Sequence, residues 1–209
     1  MSAPPLPVCA AALIAVALIT PICADVAGES QRLVELMELA PGMVAADVGA
    51  GEGKWTEALA RTVGQDGHVY ATEVKSDLVE DLHRQLDRQG LDNVTAILGD
   101  QSQVGLPTGC CDAVLLRMVY HHFEDPQAMR ASLHRALKPG GLVAIVDIVP
   151  QEHWRQLGGV PERGGHGIEP QDLIQEMIAD DFELVSQHDD WNGDDDRYCV
   201  VFRQAAKAP

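Results

Sequence analysis

Apolar residues fall into two alternating patterns along this chain. Compact, nearly unbroken apolar runs occur at Met43 to Asp47, His68 to Val74, Asn93 to Leu98, Ala113 to Leu116 and Leu142 to Val146. Runs of this kind, bounded by turn residues, read as buried strands. Between them the apolar positions recur at helical spacing. Leu33, Leu36, Met37 and Ala40 make one face over Gly28 to Ala40, closed by Pro41-Gly42. A second helix runs from about Gly53 to Val63. Ser76 is placed to cap a third, with Leu78, Leu82 and Leu86 inward and Gly90 as its stop. Asp125-Pro126 supplies a cap and a first-turn proline to a fourth, whose stripe is Met129, Leu133, Ala136 and Leu137. Leu173, Ile174, Met177 and Ile178 mark a fifth over Gln171 to Ala179. Phe182 to His188 and Arg197 to Phe202 then flank Asn192-Gly193, a hairpin signal. Strand alternating with helix predicts an α/β architecture, a mostly parallel sheet covered on both faces.

Composition refines this picture in three ways. A chain of 209 residues favours one domain. A formal net charge of −17 should repel nucleic-acid phosphates, so no nucleic-acid partner is expected. The run Val8 to Ile19, followed by Ile22-Cys23-Ala24, resembles a secretory leader. The expected organisation is therefore a signal peptide or anchor over 1–24 and a single domain over 25–209. Export to the periplasm or medium follows if the leader works; an uncleaved leader would anchor the chain to a membrane, and a cytoplasmic protein is the alternative. No basic residue precedes the run, since the first is Arg32. Cys110, Cys111 and Cys199 are an odd set, which is no disulfide framework.

The candidate chemistry gathers where strands end. Asp47-Val48-Gly49-Ala50-Gly51-Glu52-Gly53 closes an apolar run on an acid and breaks into alternating glycines. Glycine lets backbone approach a ligand closely, and a following helix N-terminus favours negative charge. Lys54 stands where the dinucleotide fingerprint has its third glycine, and Gly-Lys-Ser/Thr is absent. The stretch resembles motif I of the class I S-adenosylmethionine-dependent methyltransferases. Glu73 ends the second strand, where an acid can accept from two ribose hydroxyls. Asp100-Gln101 after the third resembles the family's adenine-contacting position. Lys138-Pro139-Gly140-Gly141 resembles its turn into the fifth strand. The resemblance covers roughly Leu33 to Phe202. It implies a Rossmann-like, doubly wound, seven-stranded sheet ending in an antiparallel hairpin, with S-adenosyl-L-methionine as cofactor.

What the resemblance implies for function is methyl transfer to a small-molecule acceptor, by in-line displacement in a loop-covered pocket. The cofactor residues expected are Asp47, Gly49, Ala50, Gly51, Glu73, Val74, Asp100, Gln101 and Arg117. Arg117 to Phe123 resembles the segment that lines the transfer site, so Tyr120 is expected at the acceptor and His121 or His122 as a base. The segment lacks the Asn/Asp-Pro-Pro-Tyr/Phe motif of many nucleic-acid and protein methylases. Arg163 and His166 lie in a glycine-rich loop able to cover a substrate. His121, His122 and His166 do not have metal-ligand spacing, so no metal is expected. Two other readings stay open: an exported module that binds the cofactor without turnover, and a nicotinamide-dependent oxidoreductase, which the missing glycine and closing hairpin disfavour. Oligomeric state is not legible.

Overall fold

The structure is a computed structural model that describes residues 21–150 and 167–205, with side chains from residue 27 onward. The leader run Val8 to Ile19, Arg163 and His166 lie outside the described residues. In chain order the elements are α1 (Pro21–Leu36), β1 (Val44–Val48), α2 (Lys54–Val63), β2 (His68–Glu73), α3 (Ser76–Gln89), β3 (Val94–Leu98), β4 (Cys111–Arg117), α4 (Pro126–Ala136), β5 (Leu137–Ile148), α5 (Pro170–Ala179), β6 (Phe182–His188) and β7 (Arg197–Gln204). One seven-stranded sheet has the order β3-β2-β1-β4-β5-β7-β6. The first five strands pair in parallel, and β7 runs antiparallel to both β5 and β6. Strand order reverses between β1 and β4, which opens a crevice at the strands' carboxyl ends.

Alternation along the central strands sorts the core into two layers. Val114 and Leu116 of β4, with Val143 and Ile145 of β5, face Met129 and Leu133 of α4 and Leu173 and Met177 of α5. Ala113, Leu115, Leu142 and Ala144 face the other way, onto Leu33 of α1, Met37 just beyond it, and Leu59 and Val63 of α2. Leu82 and Leu86 of α3 close the same side over Ala71 and Ala96. β4 and β5 read as almost wholly apolar because both of their faces are covered.

Several boundaries differ from those the pattern predicts. α1 starts at Pro21 rather than Gly28 and stops at Leu36, so it crosses the junction between Ala24 and Asp25. Ser76 is the first helical residue of α3, and the capping position belongs to Lys75. β4 begins two residues early, at Cys111, and β5 takes in Lys138-Pro139-Gly140-Gly141, read above as a turn. The pairing of β4 with β5 slips there, from Cys111–Leu137 to Ala113–Leu142, so the extra β5 residues are absorbed as an irregularity. Asp125 caps α4 as expected, accepting from the Ala128 N–H at 3.0 Å.

A buried ion pair docks α1 against the sheet. Glu29 is 2% exposed and accepts two hydrogen bonds from Arg117, at 2.9 and 3.1 Å, and one from the Trp191 indole at 2.9 Å. The Arg117 guanidinium also lies 4.5 Å from the Trp55 ring centre, and Arg32 lies 4.1 Å from that of Trp191. Removing one partner of such a pair strands the other charge in a dry site. Glu29→Ala is expected to destabilise the chain by about 3 kcal/mol in urea denaturation. The same change should redden Trp191 fluorescence as water reaches the ring; a change under about 0.5 kcal/mol would contradict the clamp.

Candidate cofactor cleft and acid–imidazole pair

The crevice at the carboxyl ends of β1, β2, β3 and β4 is a cleft of about 380 Å³. Gly49, Glu73, Val74, Asp100, Gln101 and His122 all line it. These are residues that the sequence distributes over four separate strand ends. Lys75, Leu78, Val119, Phe123 and Met129 complete the wall. They escaped sequence reading because each looks like ordinary helix or loop packing.

The glycine turn does its work by shape more than by donors. β1–β2 pairing continues past Val48, so the Gly49 and Ala50 N–H groups both donate to the Thr72 carbonyl, at 2.9 and 3.0 Å. Those amides are therefore spent on the sheet. Gly49 has φ +74°, and a Cβ there would stand 2.4 Å from Val119. Gly51 has φ +53°, open space around it, and an N–H that donates to Glu73 at 2.5 Å. Glu73 is mostly buried, and its second oxygen accepts from Val74 at 3.3 Å. Asp100 is exposed and accepts from the Ser102 N–H and hydroxyl, at 2.7 and 2.9 Å. Those bonds hold its carboxyl below the usual range.

Asp47 and Arg117 serve the cleft from behind rather than lining it. The Asp47 carboxylate is buried and accepts from the Thr56 hydroxyl at 2.6 Å, tying β1 to the first turn of α2. Burial pushes its pKa up to about 6, and the Thr56 hydrogen bond offsets part of that. Arg117, expected at the cofactor, is instead taken up by Glu29 and Trp55. Tyr120, expected at the acceptor, is fully buried. Its hydroxyl donates to Glu176 at 2.7 Å and accepts from Arg130 at 3.0 Å, so it joins α4 to α5.

The two histidines take different places. His122 is exposed on the cleft wall. His121 is 3% exposed, and its ring packs 4.0 Å from that of His122. Its Nδ1 lies 2.5 Å from Oδ1 of Asp147, whose other oxygen accepts the His121 backbone N–H at 3.2 Å. Asp147 has no exposed surface. Sequence reading missed it, although a lone acid inside the apolar run Leu142 to Ile148 was the available signal.

A nucleoside with a charged sulfur fits these residues. Glu73 offers a carboxylate to ribose hydroxyls, Val74 an apolar surface to a base, and Asp100 and Gln101 an edge for its amine. Open space around Gly51 leaves room for an amino-acid tail.

Residues 46–145 match the family described as a methyltransferase domain. The chain is 30% identical over 150 residues to nocamycin O-methyltransferase of Saccharothrix syringae, covering 72% of this chain and 53% of that protein. It is 30% identical over 111 residues to demethylmenaquinone methyltransferase of Geobacillus stearothermophilus, covering 53% and 47%. It spans about half the length of the curated relatives it matches. The fold matches the crystal structure of a SAM-dependent methyltransferase from Aquifex aeolicus with a TM-score of 0.75, at 22% identity, over 89% of this chain and 94% of the other.

Two measurements test the cleft. Glu73→Ala should weaken S-adenosylmethionine binding by about 100-fold in calorimetry, with the unfolding midpoint little changed; charge-assisted hydrogen bonds carry that weight. Asp47 tests the linkage of burial to pH. Its folded pKa lies above its unfolded value, so the unfolded chain loses this proton first and stability falls between about pH 4 and 6. Asp47→Asn should remove that penalty, on the order of 2 kcal/mol, so its advantage over wild type grows from pH 4 to pH 7. An advantage that is flat with pH would count against a strained Asp47. With the glycine turn, the acid at β2, the strand order and the family match in hand, this chain belongs to the class I S-adenosylmethionine-dependent methyltransferases.

Proposed function

We propose that the chain methylates a hydroxyl group of a small organic acceptor, with His121 as the base and Asp147 as the residue that positions it. The observation that carries this reading is the buried contact between His121 Nδ1 and Asp147. S-adenosylmethionine, when bound, supplies a methyl group on a positively charged sulfur. A thioether accepts a methyl group without a base, whereas a hydroxyl must shed its proton as it reacts. Asp147 accepts from Nδ1–H of His121, which leaves Nε2 as the basic nitrogen. It also offsets the positive charge that appears when Nε2 takes the acceptor's proton, as a buried acid does for a base in hydrolases. The backbone bonds of Asp147 to His121 and Ile148 fix its carboxylate before any ligand arrives. His122, Phe123 and Met129 form the wall of the cleft nearest this pair and would exclude water from the reacting atoms.

One relative supports the acceptor class, being named as an O-methyltransferase.

Transfer of labelled methyl from S-adenosylmethionine to a panel of phenols, enols and quinols is the direct test. His121→Ala should lower kcat by about 10²- to 10⁴-fold while cofactor affinity stays within about twofold. Added imidazole should restore part of the lost rate. Asp147→Asn should lower kcat by at least about tenfold, with the same unchanged binding. Cofactor binding with no transfer to any hydroxyl would overturn the proposal in favour of a binding module.

A further inference from the structure

The amino end of the sheet carries a second cluster of reactive side chains. Cys110 Sγ and Cys111 Sγ lie 2.8 Å apart just where the β4–β5 pairing slips. Cys111 is fully buried as the first residue of β4, and Cys110 is half-exposed. Beside them Asp112 accepts from the Val44 N–H at 2.8 Å and from Lys138 Nζ at 2.7 Å. This pair is remote from the cleft: the seven residues of β4 separate the two ends by about 20 Å.

We propose that Cys110 and Cys111 form a chelating site for a trivalent, singly substituted arsenical. Two thiols replace two hydroxyls on arsenic, so two As–O bonds break, two As–S bonds form, and the thiol protons leave in two waters. No electron is transferred and arsenic stays trivalent. Geometry favours this occupant over two others. A direct disulfide wants its Cα atoms 4.4–6.8 Å apart. Adjacent residues joined by a trans peptide hold theirs at about 3.8 Å, and a bridging atom relaxes that mismatch. A structural zinc ion wants four ligands, and among the described residues no group of three His, Cys, Asp or Glu is arranged to hold a metal. The two thiols also divide the work. The Cys111 contact and then Lys138 lower the pKa of Cys110, the exposed member, whereas that of Cys111 is raised. Cys110 attacks first, and Cys111 closes the ring through a local opening of the irregular β4–β5 pairing.

The test uses the full chain with Cys9 and Cys23 changed to Ser, phenylarsine oxide as the probe, and intact-mass spectrometry with thiol titration. The expected result is one arsenical per chain, loss of two titratable thiols, and release by a dithiol but not by a monothiol. Cys110→Ala and Cys111→Ala should each weaken capture by about 100-fold, because a chelate becomes a single attachment. Should Cys111→Ala fold poorly, protection of Cys110 from iodoacetamide by the arsenical in the unaltered pair gives the same reading. Equal capture by the Cys110→Ala chain, or an adduct mapped to Cys199, would overturn the proposal. So would phenylarsine oxide leaving Cys110 open to alkylation. S-adenosylmethionine binding should stay unchanged throughout, which keeps this test separate from that of the methyl-transfer reading.

Discussion

A carboxylate removed from water must find donors, and that requirement shapes the carboxyl end of this sheet. Glu29, Asp47, Glu73 and Asp147 are all buried there, each at 8% exposure or less. Each draws in a different piece of chain. Glu29 takes Arg117 and Trp191, Asp47 takes Thr56, Glu73 takes the Gly51 amide, and Asp147 takes His121. An unpaired carboxylate in these positions would cost several kcal/mol. The loops that satisfy them are therefore not free to wander. Helix α1, the glycine turn and the segment after β4 are held in register with one another by charges that none of them could bury alone.

The four acids divide between positioning and contact. Asp47 and Glu29 face inward and spend their lone pairs on protein donors. Glu73 stands on the cleft wall, where its partners are the backbone amides of Gly51 and Val74. A ligand hydroxyl can compete with an amide on a glycine turn more readily than with a packed threonine. Asp147 differs again, because its partner is itself a proton acceptor.

How much of this was legible follows from what burial does to a pattern. Strands β1, β4 and β5 were readable because both faces are covered, leaving apolar runs with sharp ends. Glu73 and Asp100 were readable because an acid at the end of such a run stands out. Arg117 and Tyr120 were assigned to ligands because local sequence shows where a residue sits on its strand, not what crosses from elsewhere. Glu29 is 88 residues from Arg117 in sequence, and Glu176 is 56 from Tyr120. The boundary at α1 failed for a related reason: its start lies in the apolar leader-like stretch, where composition resembles targeting sequence more than amphipathic helix.

One bend after β4 links the crevice to the acid–imidazole pair. At 22% identity to a solved methyltransferase, the sheet and its crevice persist while most side chains have changed. Gly49, Glu73 and Asp100 meet at that crevice. The link is the short segment from Met118 to Phe123. Met118 has φ +59°, an uncommon value for a residue with a side chain, and its N–H is held by the Val146 carbonyl at 2.8 Å. That bend turns the chain off β4, seats Val119 against Gly49, and sends His121 inward to Asp147 and His122 outward to the cleft. Straightening it would break the contact with the glycine turn and the acid–imidazole pair together.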